Sequence, residues 1–218
     1  MTKPHAVIIA NPHAGGGRAR TIAIRAQSAL TSAGINVTLH FPDSREQLQI
    51  ISAQSCAEQP DVVLACGGDG TFHDILQSAI ACNTTIGIIP GGTGNDVARS
   101  LGLTRKISDS FFHEMASSIH NQHCELFDAS KIICDGEQVW SLGVISAGFD
   151  SAVNERANRM SHFRGTLRYI LALLAELREF KLHHYTVTMD GVQHSNCALL
   201  IAVGNGGNYG GGMRICPQ

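Results

Sequence analysis

Apolar residues arrive in short, nearly unbroken runs through the first half of the chain. Ala6-Val7-Ile8-Ile9-Ala10, Val62-Val63-Leu64-Ala65-Cys66 and Ile86-Gly87-Ile88-Ile89-Pro90 have the continuous hydrophobicity of strands buried on both faces of a parallel sheet. A further strand is expected at 37–41. Between these runs the apolar positions recur at helical spacing, over 18–33 with a stop near Gly34, over 44–56 and over 72–81, then at 95–101 and 107–119. Short β and α elements in regular alternation predict a doubly wound parallel sheet, assigned to residues 1–121.

After residue 122 the rhythm changes. Strand-like patterns occupy 125–134, 138–146, 184–189 and 197–204, and Asp190-Gly191 is a hairpin-turn signal. Two helical patterns interrupt them, at 151–160 and 166–180. Residues 122–218 therefore read as a second domain, a mainly antiparallel β-sandwich. With four strands and no closing element before Gln218, it is expected to be truncated at its C-terminus.

Composition narrows the function. Apolar residues make up 44% of the 218 and charged residues 16%, as in an ordinary globular protein. A formal net charge of -2 lacks the strongly basic signature of a nucleic-acid binder, so no nucleic-acid partner is expected. The seven cysteines are odd in number and contain no Cys-x-x-Cys pair, as free thiols of a reducing compartment would. The eleven histidines show no metal-ligand spacing. The first apolar run is too short for a signal peptide, and the run at 169–175 stops at Glu176, far short of a bilayer span. The expectation is a cytoplasmic protein with at most peripheral membrane contact.

The chemistry lies in three glycine-rich turns, each after a predicted strand. Gly67-Gly68-Asp69-Gly70-Thr71 and Gly91-Gly92-Thr93-Gly94-Asn95-Asp96 each lead into a helix, and such a junction presents free backbone N–H groups to a phosphate. Asn11-Pro12-His13-Ala14-Gly15-Gly16-Gly17 follows the first strand, where ligand sites of open α/β sheets fall. None is a P-loop or a Gly-x-Gly-x-x-Gly dinucleotide loop. Asp69, among glycines, is placed to face a Mg²⁺-bound phosphate or to stabilise its own turn. Thr71 and Thr93 are hydroxyl donors to phosphate or helix caps, and Asn95-Asp96 is a cap or a nucleotide contact.

The stretches Asn11-Pro-x-Ala-Gly-Gly-Gly, Gly67-Gly-Asp-Gly-Thr-Phe-His-Asp74 and Pro90-Gly-Gly-Thr-Gly-Asn-Asp-Val-Ala-Arg99 stand together with Gly148-Phe-Asp-Ser-Ala-Val153 and Asn205-Gly-Gly-Asn-Tyr-Gly-Gly-Gly-Met213. This set resembles the diacylglycerol kinase catalytic-domain family, which includes bacterial lipid kinases and eukaryotic diacylglycerol and sphingosine kinases. The resemblance spans essentially the whole chain and implies an NAD kinase- or phosphofructokinase-like first domain. It also implies an ATP site lined by Asn11, Pro12, His13, Ala14, Gly15, Gly67, Gly68, Asp69, Gly70, Thr71, Phe72, His73, Asp74, Gly92, Thr93, Asn95 and Asp96. Asp69 and Asp128 are implied in catalysis, Asp69 through an indirect link to Mg²⁺ and Asp128 by linking that network between domains. Asp74 stands where the family usually has Glu, and the family's Thr after the second strand has no match near His40-Phe41-Pro42. The family's general base is expected beyond Gln218.

The implied activity is ATP-dependent phosphorylation of a lipid hydroxyl, with the lipid presented at a membrane surface and taken in the cleft before the second domain. An NAD kinase-like phosphotransferase on a soluble substrate and a non-catalytic nucleotide-binding fragment are the alternatives, and a homodimer is left open. Leu167, Ile170, Leu171, Leu174 and Leu177 follow helical spacing beside Arg156, Arg159, Arg164 and Arg168, which is either a core stripe with a solvated face or a surface for anionic lipid.

Overall fold

The computed structural model describes residues 3–103, 107–149 and 182–209, with individual positions in 152–178 and 212–216. Most of the two helices expected at 151–160 and 166–180 lies outside the described residues. So do Arg159, Arg164, Arg168, Leu167, Ile170 and Leu177 of the leucine and arginine stripe.

Four strands form the sheet that carries the first half of the chain: β1 (His5–Ala10), β2 (Asn36–His40), β3 (Val62–Gly67) and β4 (Ile86–Pro90). They lie in the order β2-β1-β3-β4, all parallel. Successive side chains leave a strand on opposite faces, and the core divides accordingly. Ala6, Ile8 and Ala10 of β1 pack with Val62, Leu64 and Cys66 of β3 under α1 (Arg18–Ser32) and the helix at Asp109–His120. Val7, Ile9, Val63 and Ala65 pack on the other face against Leu48 and Cys56 of α2 (Arg45–Ala57) and Phe72, Ile75, Leu76 and Ala79 of α3 (Asp69–Cys82). The helix at Asp109–His120 is α5; α4 is the single turn Asp96–Ser100. Burial drives the Cys66 thiol up to about 12, so it stays a neutral core group, as the cysteine pattern suggested.

This is the doubly wound sheet that the hydrophobic runs predict. The chain leaves β1 for β2 on one side and then crosses to β3 on the other, so the strand order reverses between β1 and β3. In open α/β sheets a crevice forms at that point, outside the carboxyl ends of the strands. Ser44, in extended conformation before α2, accepts the Gln47 N–H through its hydroxyl at 3.1 Å, a capping pattern that fixes where α2 begins.

By compactness, Met1–Gly143 with Asn205–Gln218 form one unit and Val144–Gly204 a second. Within the first lie the hairpin β5 (Ser130–Cys134) and β6 (Glu137–Ser141), and the short antiparallel pair β11 (Asn208–Tyr209) and β12 (Met213–Arg214). The second holds β7 (Val144–Gly148), β8 (His183–Met189), β9 (Val192–Ala198) and β10 (Leu200–Gly204). There β10 pairs antiparallel with β7, and β8 with β9. Asp190 (φ 50°) and Gly191 (φ 81°) form the two-residue turn between β8 and β9, as Asp-Gly predicts.

Several expected elements change. The strand expected at 125–134 begins only at Ser130, leaving Leu126 fully exposed. The one expected at 138–146 breaks in two, because the Ser141 hydroxyl accepts the Gly143 N–H at 3.1 Å and turns the chain. The one expected at 197–204 also splits, between β9 and β10.

Candidate functional site

Three loops meet at the carboxyl ends of β1, β3 and β4. The first leaves β1 at Asn11, whose Oδ1 accepts the His13 N–H at 3.0 Å while its own N–H donates to the Cys66 carbonyl at 3.0 Å. The chain then passes Gly15, Gly16 and Gly17 with φ of 60°, 70° and 92°. That left-handed run is one glycine adopts without penalty. A Cβ on Gly15 would also run into the carbonyl oxygen of Gly91.

The second and third loops are bonded to each other. The Gly67 carbonyl accepts the N–H groups of both Gly91 (2.8 Å) and Gly92 (2.9 Å). A Cβ on Gly92 would strike the Gly68 backbone, so glycine here lets two chains approach closely. Asn95, left-handed at φ 55°, brackets Gly92: its Oδ1 accepts the Gly92 N–H and its Nδ2 donates to the Gly92 carbonyl, both at 3.0 Å. Asp69, the first residue of α3, accepts the Val97 N–H on Oδ1 at 3.0 Å and so caps α4, the helix of the other loop. Arg99 Nη2 donates to the Gly94 carbonyl at 3.1 Å.

These loops wall a cleft of about 750 Å³. Asn11, His13, Ala14, Gly15, Gly68, Gly70, Thr71, His73, Asp74, Gly92 and Thr93 line it, all of them residues that the resemblance implies for an ATP site. Gly68 caps α3 without a side-chain bond, so the N–H groups of Asp69, Gly70 and Thr71 in the first turn have no helical acceptor. Apart from its chain neighbours and its own helix backbone, a Cβ on Gly70 would meet no protein atom within 4 Å. This is an N-terminal turn open to an anion.

Other expected site residues lie elsewhere. Phe72 is 4% exposed and packs in the core beneath the sheet, because its place in the helix turns it away from the loops. Pro12, Gly67, Asp69, Asn95 and Asp96 are not among the lining residues. Gly67 and Asn95 shape the loops through the bonds above. Asp96 stands 3.7 Å from Arg99 Nε within α4. Asp128 is exposed in an irregular segment, with its carbonyl oxygen bonded to the Asn205 amide, and does not line the cleft.

Asp74 reaches the cleft but is nearly covered. Arg45 Nε lies 3.0 Å from its Oδ2 and Nη2 2.8 Å from its Oδ1, and Asp74 raises the guanidinium's pKa mainly through these bonds. Arg45, Ser44, Asp43, Pro42 and Leu48 line the cleft, and the sequence reading did not include them. The Ser44-x-x-Gln47 capping spacing was the available signal, since it puts the N-terminus of α2 at the carboxyl end of β2.

Comparison with known proteins agrees with this arrangement. A family described as "Diacylglycerol kinase catalytic domain" matches residues 5–132, and one described as "YegS C-terminal NAD kinase beta sandwich-like domain" matches 143–218. A diacylglycerol kinase of Mycobacterium tuberculosis (strain CDC 1551 / Oshkosh) is 35% identical over 212 residues, covering 96% of this chain and 67% of that protein. A crystal structure from Bacillus anthracis str. Sterne, 25% identical, covers 98% of this chain and 70% of its own with a TM-score of 0.71. A second from the same source, a diacylglycerol kinase, is 22% identical with a TM-score of 0.67, covering 97% of this chain and 66% of its own. With three glycine loops at the switch point of a parallel sheet and more than half its length matched, the chain belongs to the diacylglycerol kinase catalytic-domain family.

Proposed function

We propose that this chain binds Mg²⁺·ATP in the cleft and transfers the γ-phosphoryl group to a lipid hydroxyl. The observation that carries the reading is the open first turn of α3. Its N–H groups face a cleft bordered by two more glycine loops, and the space beside Gly70 is free for close approach of a phosphate. The bound nucleotide supplies the phosphoryl group and the protein supplies position and charge, which is most of what phosphoryl transfer asks of an enzyme. Loops after β1, β3 and β4 hold the phosphates through backbone amides. Thr93, exposed at the rim, and Thr71 offer hydroxyls from the lining.

No group of three or more His, Cys, Asp or Glu side chains able to hold a metal occurs among the described residues. Mg²⁺ is commonly held by one or two carboxylates plus substrate phosphates and water, so a site for phosphate-bound Mg²⁺ need not contain such a group. Asp69, whose Oδ1 is engaged by Val97, stands behind the lining residues Gly68 and Gly70, so its charge would act on a phosphate-bound Mg²⁺ indirectly. Among the described residues no helix is long and apolar enough to cross a membrane. In this reading the acceptor lipid is met at a membrane surface.

The match to an NAD kinase-like β domain favours a second reading, with a soluble acceptor. Both are tested by incubating the purified chain with γ-labelled ATP, Mg²⁺ and either vesicles containing diacylglycerol or NAD in solution. Label in the lipid extract supports the first reading, and label only in the soluble acceptor moves the assignment to the second. Gly70→Ala serves as the internal check: beyond its chain neighbours and own helix backbone the new Cβ meets no protein atom, and removing a helical glycine stabilises by roughly 0.5–1 kcal/mol. A higher melting temperature with at least tenfold weaker ATP binding is expected. Unchanged affinity would remove α3 from the phosphate site.

A further inference from the structure

Arg45 is an arginine in a place that disfavours cations. It is the first residue of α2, where the positive end of the helix dipole opposes its charge. Its side chain is 73% exposed while that of its partner, Asp74, is only 8% exposed. Both oxygens of Asp74 take the side edge of the guanidinium, the Nε–H and one Nη2–H, at 2.8–3.1 Å. Gln49 Nε2 adds a longer bond to Asp74 Oδ1 at 3.4 Å.

Arginine has five N–H donors, and this pairing leaves its end-on edge unused: a parallel pair from Nη1 and Nη2. Nη1 has no hydrogen-bond partner among the described residues. Among the described residues, Arg45 is also the one Arg or Lys that lines the cleft. Asp74 follows Asp69 by five residues, about 7.5 Å along α3 at 1.5 Å per residue. Gly70 and Asp74, four residues apart on α3, share a helix face and both line the cleft, so the fork stands on the same wall as the open first turn.

We propose that Arg45 binds the cleft's ligand directly through this end-on pair, and that Asp74 is the residue that positions it. The assignment rests on the nucleotide reading above. A rigid two-donor fork recognises two neighbouring acceptors, which phosphate oxygens offer and which the N7 and O6 edge of guanine also offers. Asp74 fixes the side edge, so less rotamer freedom remains to be lost when ligand binds. Shorter than Glu, Asp holds the guanidinium close to α3 and leaves the outer edge to the cleft.

The test is calorimetric titration of the full chain with ATP, GTP and inorganic tripolyphosphate, each with Mg²⁺. Arg45→Lys keeps the positive charge beside buried Asp74 and deletes the fork. It should weaken binding roughly ten- to hundredfold, the range of a lost charge-assisted hydrogen bond. Loss with all three ligands, tripolyphosphate included, identifies phosphate oxygens as the acceptors. A wild-type preference for GTP that Arg45→Lys abolishes, with tripolyphosphate unaffected, identifies the base edge. Asp74→Asn should lower affinity, and Asp74→Glu, which keeps the ion pair, should restore most of it. The double variant Arg45→Gln/Asp74→Asn removes fork and buried charge together, so a folding defect from an unpaired carboxylate does not obscure the result. Wild-type affinity within twofold for Arg45→Lys and for the double variant overturns the assignment alone. A folded wild-type protein that binds none of the three ligands overturns the nucleotide reading, and the assignment with it.

Discussion

Asp69 begins one helix and caps another. Its Oδ1 takes the Val97 N–H of α4 while its backbone opens α3, so one carboxylate ties the loop after β3 to the loop after β4. Two roles, cap and cation partner, separate under substitution. Asp69→Asn keeps an acceptor oxygen for Val97 and removes the charge; Asp69→Ala removes both. The alanine variant should lose about 1 kcal/mol of stability, the ordinary cost of a lost helix cap, and the asparagine variant very little. On the proposed function, phosphoryl transfer should fall steeply in both, because the negative charge beside the phosphate loops is gone. An asparagine variant with full transfer activity would leave Asp69 the cap alone. The sequence made the acidic residue visible as one set among glycines, but not its partner, which lies 28 positions away and is a backbone N–H. For the same reason the sequence left Asn95 open between cap and ligand contact. Its side chain makes no capping bond to α4; it clamps Gly92.

At the scale of elements, legibility followed burial. β1 and β3 were plain because five successive residues of β1 and all six of β3 are buried, so hydrophobicity runs unbroken. β9, Val-Gln-His-Ser-Asn-Cys-Ala, was not assigned over its first five residues, since six of its seven are exposed and no apolar alternation is imposed. The start of α3 was placed three residues late, as Asp69-Gly70-Thr71 reads as turn until Gly68 is seen to cap the helix. Nor did composition reveal how β6 meets α3. Gln77 grips one residue of the strand by both ends, its Nε2 donating to the Trp140 carbonyl and its Oε1 accepting the Trp140 N–H, each at 2.9 Å. A side-chain amide here imitates a neighbouring strand. Gln77→Leu removes both bonds and leaves two main-chain groups unpaired, which should cost about 1–3 kcal/mol. The expected sign is faster amide exchange across β5 and β6 with ATP affinity unchanged, because Gln77 does not line the cleft. Weakened ATP binding in this variant would show that the hairpin and the cleft are coupled.

For the whole molecule, stability should be graded rather than uniform. The first unit encloses a sheet covered on both faces, with Ile8 and Val63 wholly inaccessible. In the second, β8 and β9 form a two-stranded hairpin whose residues are mostly exposed, and a hairpin alone is marginal in water. Local opening free energies scale with such burial, from near zero at exposed elements to the global value in the core. In hydrogen exchange, β8 and β9 should therefore exchange early while β1 and β3 hold their amides longest. A ligand that binds only the folded first unit adds protection by mass action, and adds it where it binds. Saturating Mg²⁺·ATP is expected to slow exchange at 11–17, 42–49, 68–74 and 91–97 without changing the early exchange of β8 and β9. The stretch at 42–49 is the discriminating one: protection there requires contact on the β2 side of the cleft, where Arg45 stands, and not only at the glycine loops. Protection confined to the three glycine loops would place the nucleotide wholly on them and count against a ligand that reaches Arg45. Protection concentrated within 144–204 would mean that the nucleotide site lies in the other unit, against the geometry of the α3 turn.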